Sequence, residues 1–260
     1  MGAWRIAATA AFAAALAGCG AAKAPVERVE WTAMGTVAAL QCRGSCDPRA
    51  TETVKRVFAD VERLLSAHDP ASELSRLAPL PDEEVLARCD PLVRPCYEAA
   101  FRLMRETGGA FSPRWRGPGT LDLGAIAKGF AADLAAERLR AGGLASADML
   151  VDLGGNLKAV SGEWTAGVYA PPGADAPPEA IRLAPGSACA TSGEYARGRH
   201  IRDGRTGRAV DGGPVSVTVV HPASATLADG LSTVMFVLGR EKGEVFLRSF
   251  HPEARAVWYW

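Results

Sequence analysis

The chain predicts a single α+β domain. Helical periodicities and short apolar, strand-like runs are both present, yet they are mixed without strict βαβ alternation. No composition break or internal repeat divides the 260 residues, and the one biased stretch is the Pro/Ala-rich loop Pro171 to Pro178. Residues 19–260 are long enough to bury a substantial core.

Taken in order, Val29 to Leu40 has strand composition. Asp47-Pro48 predicts a helix start, a capping carboxylate before a proline at the first helical position, and Val54, Val57, Val61, Leu64 and Leu65 follow at helical spacing. His68-Asp69-Pro70 ends that helix. A second opens at Asp90-Pro91 and runs to about Thr107, where Gly108-Gly109 breaks it. A third, from about Ala125, carries Ile126, Phe130, Leu134 and Leu139 on one face and stops at Gly142-Gly143. Strands are predicted over Met149 to Leu153, Trp164 to Tyr169, Ile181 to Leu183 and Val215 to Val220, with a tight turn at Asp203-Gly204. Helices over Thr226 to Leu238 and Glu241 to Phe250 precede a closing strand, Ala256 to Trp260.

Residues 1–18 read as an export signal: Arg5 is the only charge, Ile6 to Ala17 is apolar, and Ala17-Gly18 precede Cys19. Leu16-Ala17-Gly18-Cys19 matches a bacterial lipobox, in which the Cys19 thiol takes a diacylglycerol and becomes the acylated N-terminus. The alternative is a secretory signal with an incidental cysteine. A spanning helix is disfavoured, because it needs roughly 20 apolar residues. The organisation expected is therefore a lipoprotein signal peptide over 1–18, a tether over 19–28 and the domain over 29–260, held by its lipid on the inner membrane and facing the periplasm.

Acidic and basic residues number 29 each and are scattered, which argues against a polyanion-binding surface and sets nucleic acid aside. Beyond Cys19 there are Cys42, Cys46, Cys89, Cys96 and Cys189. Export permits disulfides, and local spacing pairs Cys42 with Cys46 and Cys89 with Cys96, leaving Cys189 as a buried thiol. Zinc is the competing reading, disfavoured because the pairs lack CxxC spacing. There is no GxGxxG, GxxxxGK, GxSxG or HExxH, so dinucleotide folds, P-loops and the commoner hydrolases lose support.

The chemistry-bearing residues fall in two distant runs, Thr120 to Gly129 (TLDLGAIAKG) and Ala228 to Thr233 (ADGLST). Asp229, Ser232 and Thr233 share one helical face and offer oxygen to a hard cation, although such residues also cap helices. Asp122 and Lys128 flank a helix start, where a capping carboxylate and an exposed lysine are the plainer reading. Thr191-Ser192-Gly193 has the composition of a phosphate-contacting loop. His200, one of four histidines, suits proton acceptance near neutral pH or a structural hydrogen bond.

Together with Met34-Gly35-Thr36, Ser72 to Leu77, Gly109-Ala110-Phe111, Val151 to Gly155, Ala190 to Gly193, and His200-Ile201 before Asp203 and Thr206-Gly207, these runs resemble the FAD:protein FMN transferases, the ApbE-like flavin transferases, from about Trp31 to Gly239. The resemblance implies one domain of mixed sheets flanked by helices. It implies FAD as substrate, contacted by Met34, Ala110, Phe111, Ser112, Asp122, Lys128, Thr191, Ser192 and Ile201, although Phe111 fits a core aromatic equally well. A magnesium ion would be held by Asp229, Thr233 and the Ala125 carbonyl, with His200 as base. The implied reaction moves FMN from FAD to a Thr or Ser hydroxyl of an acceptor flavoprotein and releases AMP. An FAD pyrophosphatase and a non-catalytic flavin-binding lipoprotein are the alternatives. The chain departs from the family pattern at Ser112 (usually Asp), His68 (usually aromatic), Asn156 (usually acidic) and Gly204 (usually Pro), and in the short segment Ser112 to Thr120.

Overall fold

The computed structural model describes residues 24–145, 147–168, 179–194 and 198–260. The signal, Cys19, Tyr169 and the Pro171 to Pro178 loop lie outside them. Mixed helices and antiparallel sheets give the α+β fold expected, and among the described residues no helix is long and apolar enough to cross a membrane.

Two strands, β1 (Val26–Ala33) and β2 (Thr36–Arg43), replace the single expected one. They are joined at Met34 and Gly35, whose φ angles of 49° and 69° make a two-residue hairpin turn. Val26 to Arg28, read as the end of the tether, open β1 instead, and Arg28 is fastened to Asp152 at 3.1 Å. Helix α1 (Pro48–Leu65) begins as expected, the Asp47 carboxylate accepting the Arg49 amide, and it buries Val54, Phe58, Val61 and Leu65. Two short helices went unforeseen: α2 (Glu73–Leu77), capped by Ser72, and α3 (Asp82–Arg88). Helix α4 (Arg94–Glu106) starts a turn later than expected, because Asp90 caps a separate turn through Leu92.

Helix α5 (Ala127–Ala141) leads into β3 (Met149–Leu153), β4 (Asn156–Ser161), β5 (Trp164–Gly167), β6 (Ala180–Leu183), β7 (Ala188–Gly193) and β8 (Ser216–His221). The chain closes with α6 (Ala225–Phe250) and β9 (Arg255–Tyr259). Helix α6 is broken at Gly239, with φ 72° and ψ 171°, at the boundary expected between two helices. Strand β4 was not foreseen, and β7 corrects the expected Thr191 to Gly193 loop: those residues end a strand.

The main sheet has the order β1-β2-β3-β4-β7-β8-β9, antiparallel throughout, and β5-β6 form a separate ribbon. Strand alternation divides the interior. Val151, Ala188, Ala190, Val217 and Val219 face α1, α4, α5 and α6 in the main core, while Leu150, Cys189, Val220 and Tyr259 meet Trp164, Ile181 and Leu183 of the ribbon in a second one.

Cys42 and Cys46 are disulfide-bonded, as expected. The second expected bridge is corrected: Cys89 and Cys96 are both free, as is Cys189. The Cys89 thiol donates to the Leu86 carbonyl at the end of α3, whereas Cys96 points from α4 into the main core. Burial pushes the Cys96 thiol well above its ordinary range, with Asp229 adding to the effect, and pushes Cys189 up to about 12.

Candidate functional site

One end of the main sheet carries Met34, Thr191 and Ser192. The Met34-Gly35 turn, the Gly154-Gly155 turn between β3 and β4, the end of β7 and the start of β8 lie there, because successive strands alternate in direction. A Cβ on Gly154 would come within 2.6 Å of Thr36 Oγ1, so a glycine lets the two turns touch. Met34 is the one described non-glycine residue with positive φ, a placement costing roughly 1–2 kcal/mol. Its amide donates to Glu62 of α1 at 3.0 Å.

The two distant runs meet through one hydrogen bond. Gly129 donates its amide to Asp229 Oδ2 at 2.9 Å. Helical geometry would direct that amide at the Ala125 carbonyl four residues back, so the contact releases the carbonyl from its usual partner. Helices α5 and α6 can approach this closely only because residue 129 is glycine: a Cβ there would lie 2.1 Å from the Ala225 carbonyl oxygen. Lys128 Nζ donates to the Gly124 carbonyl at 3.0 Å and sits 3.8 Å from Asp229 Oδ2. Asp229 is 6 % exposed.

Ser192 carries the cluster across to the sheet. Its Oγ lies 2.8 Å from Ser232 Oγ and 3.1 Å from Thr233 Oγ1, and Ser232 donates back to the Asp229 carbonyl at 2.8 Å. Thr191, next along β7, points to the other sheet face and bonds Thr218 Oγ1 at 2.7 Å. Among the described residues no three His, Cys, Asp or Glu side chains gather to hold a metal. One buried carboxylate, a released carbonyl and neighbouring hydroxyls make an oxygen donor set that fits magnesium, which is satisfied by one carboxylate when phosphates complete the shell.

A second group adjoins the first through Gly124. Asp122 Oδ1 accepts the Gly124 amide at 2.9 Å, while its Oδ2 accepts from Trp115 Nε1 and Arg116, both at 3.2 Å. Arg116 and Arg202 lie 4.6 and 5.8 Å from the centre of the Trp115 ring. Trp115 and these arginines were not foreseen; the signal was an aromatic and a cation side by side in the shortened 112–120 segment.

His200 opens a small hairpin whose strands meet at Arg202 and Ala209, with Asp203 to Gly207 as its turn. Asp203's carboxyl is held below its ordinary range, chiefly by hydrogen bonds from Arg205. His200 is exposed, and its Nδ1 lies 2.8 Å from the Gly198 carbonyl. A carbonyl only accepts, so Nδ1 carries the proton and a neutral imidazole keeps its lone pair at Nε2. Gly204 donates its amide to the Ala110 carbonyl at 2.9 Å, and a Cβ at 204 would lie 2.5 Å from the Gly109 carbonyl oxygen. The usual proline could not donate that bond, which gives the departure at Gly204 its physical reason.

Ala110, Phe111 and Ile201 are buried. Phe111 packs in the main core, so this segment offers the site its backbone. Ser112 donates its hydroxyl toward Met104 Sδ and accepts the Arg114 amide. A cleft of about 470 Å³ lies elsewhere, lined by Pro95, Phe130, Asp133, Glu137 and Thr226 among others, and none of the candidate residues borders it.

The sequence model of the ApbE family matches residues 115–258. The chain is 39% identical over 151 residues to the FAD:protein FMN transferase of Treponema pallidum and 41% identical over 137 residues to that of Klebsiella pneumoniae. Those matches take in 50% and 49% of this chain but 41% and 42% of the relatives, so they span about two fifths of the relatives' length. Among solved structures, the flavin transferase ApbE of Vibrio cholerae superposes with a TM-score of 0.73 at 23% identity, covering 90% of this chain and 93% of that one. The Thermotoga maritima ApbE protein gives 0.72 at 25% identity, covering 90% and 94%.

Proposed function

The chain belongs to the ApbE family, and from that premise we propose that it acts as an FAD:protein FMN transferase, moving FMN from FAD to a Thr or Ser hydroxyl of an acceptor flavoprotein. The observation that carries the reading is the Gly129–Asp229 hydrogen bond, which joins the two distant runs into one oxygen-rich site. Magnesium, when bound, would be held by Asp229, Thr233 and the Ala125 carbonyl and would neutralise diphosphate charge.

The chain's own groups do the rest. Lys128, Asp122 and the Ser192 hydroxyl border the place where the diphosphate would lie, while Met34 offers an apolar edge to the flavin ring. His200 accepts the acceptor's hydroxyl proton at Nε2 as that oxygen bonds the FMN-side phosphorus. The bridging P–O bond to the AMP half breaks, AMP leaves with the electron pair, and a phosphoester links FMN to the acceptor. Lipid attached at Cys19 holds the domain at the inner membrane, facing the periplasm.

Mass spectrometry of a candidate acceptor after incubation with the protein, FAD and magnesium tests this. The expected result is one FMN on a Thr or Ser, equimolar AMP, and loss of both with Asp229→Ala. Rapid release of free FMN and AMP without a modified acceptor would replace the transferase by a pyrophosphatase. Tightly held FAD with no turnover would make the protein a binder.

A further inference from the structure

Lys128 sits where a cation is wanted. Its ammonium is bracketed by the Gly124 carbonyl at 3.0 Å and the Asp229 carboxylate at 3.8 Å, one from each of the runs expected to hold magnesium. Its side chain is 19% exposed against 8% for Asp229, so the pair is screened only in part by water. No other cationic side chain among the described residues pairs with Asp229.

We infer that Lys128 couples metal binding to nucleotide binding: it is a tethered counter-ion that neutralises Asp229 until a diphosphate draws it away. The inference rests on the reading of Asp229 as a metal ligand. A divalent ion and an ammonium within about 4 Å of one carboxylate repel each other, so the free protein binds the metal weakly. A diphosphate brings its own negative charge and competes for the ammonium, which a flexible four-carbon stem lets it reach. Asp229 is then left to the metal. Because coupling is reciprocal, metal in place must also favour the diphosphate. Substrate and ion therefore load together.

The test is manganese binding to the full chain, followed by the paramagnetic signal of the free ion, with and without ADP and corrected by a protein-free manganese–ADP titration. Lys128→Met is expected to bind manganese alone about tenfold more tightly than the wild type, and ADP is expected to enhance its affinity by a correspondingly smaller factor. Lys128→Arg keeps the charge and should remain close to wild type. Lys128→Gln, whose amide can keep the Gly124 contact, should move in the same direction as Lys128→Met and serves if that variant fails to fold. Manganese binding that is unchanged or weaker in the neutral variants overturns the coupling. Asp229→Asn separates the two ideas: if it binds manganese like wild type, the metal reading itself falls. If it loses the ion while Lys128→Met and Lys128→Gln change nothing, only the coupling does.

Discussion

Asp133 Oδ1 lies 2.9 Å from the Lys158 ammonium, and the same carboxylate takes the amides of Ala225 and Thr226 and the hydroxyls of Ser224 and Thr226. This knot ties α5 and β4 to the first turn of α6, one turn ahead of Asp229. Burial would raise the Asp133 carboxyl, but the Lys158 charge and the two amides outweigh it and hold it below the ordinary 3.8. The stabilisation is present above that value and lost as pH falls beneath it. Asp133→Ala leaves Lys158 buried without its ion partner and should cost about 3–5 kcal/mol in urea unfolding.

The last residue of β8 makes a second pH-dependent contact. His221 Nδ1 accepts the amides of Ala223 and Ser224, so it must be unprotonated, and Nε2 faces Glu253 at 3.1 Å. Burial holds its pKa below 6.5, against the pull of Glu253 and Asp133 and with repulsion from His251, itself bonded to Glu106. The unfolded chain takes the proton first, so stability should decline as pH drops below about 6.5. His221→Asn, whose side-chain oxygen can accept the same amides, should flatten that slope in thermal unfolding measured across pH 5 to 7.

Gly129→Ala forces a Cβ to within 2.1 Å of the Ala225 carbonyl oxygen and 2.7 Å of Asp229 Cβ. Both contacts are with rigid atoms. A loss of about 3 kcal/mol is expected in denaturant unfolding, together with loss of manganese binding, since α5 and α6 must separate at the bond that joins them.

For the proposed chemistry, His200→Ala should slow flavin transfer by about a hundredfold while FAD affinity, read from flavin fluorescence, stays near wild type. A matching loss of affinity would make His200 a flavin contact.

Thiol mapping should find Cys89, Cys96 and Cys189 unreactive in the native protein and all three alkylated after unfolding without reductant, with Cys42 and Cys46 protected. Reduction of that short loop should lower stability by roughly 2 kcal/mol.

Much of this was legible where local chemistry and tertiary packing agree. Asp47-Pro48 caps α1, and Gly239 breaks α6 between the two helices its flanks predict. The shared spacing of Asp229, Ser232 and Thr233 placed them on one face, but their junction with Gly129 depends on how closely two helices pack, which no local pattern encodes. Strand β7 was hidden because Ala188 to Gly193 are small and polar enough to read as a loop. Strand β4 was hidden because Lys158, a surface residue by type, is buried against Asp133. The Cys89–Cys96 pairing failed for a related reason: seven residues suggest proximity, but Cys96 sits on the inward face of α4 while the Cys89 thiol is engaged by its own helix end.

The first hairpin also sets which way the molecule faces. Val26 pairs with Arg43 and Ala33 with Thr36, so β1 carries the chain from the disulfide end of the sheet to the Met34 end, roughly 23 Å away. With lipid attached at Cys19 as proposed, the leash pulls on the end remote from Asp229 and Met34. A molecule held that way turns its reactive end outward from the bilayer, toward proteins arriving through the aqueous compartment. Acceptors with their target hydroxyl on a protruding loop should then be reached more readily than those whose target lies flush with the membrane.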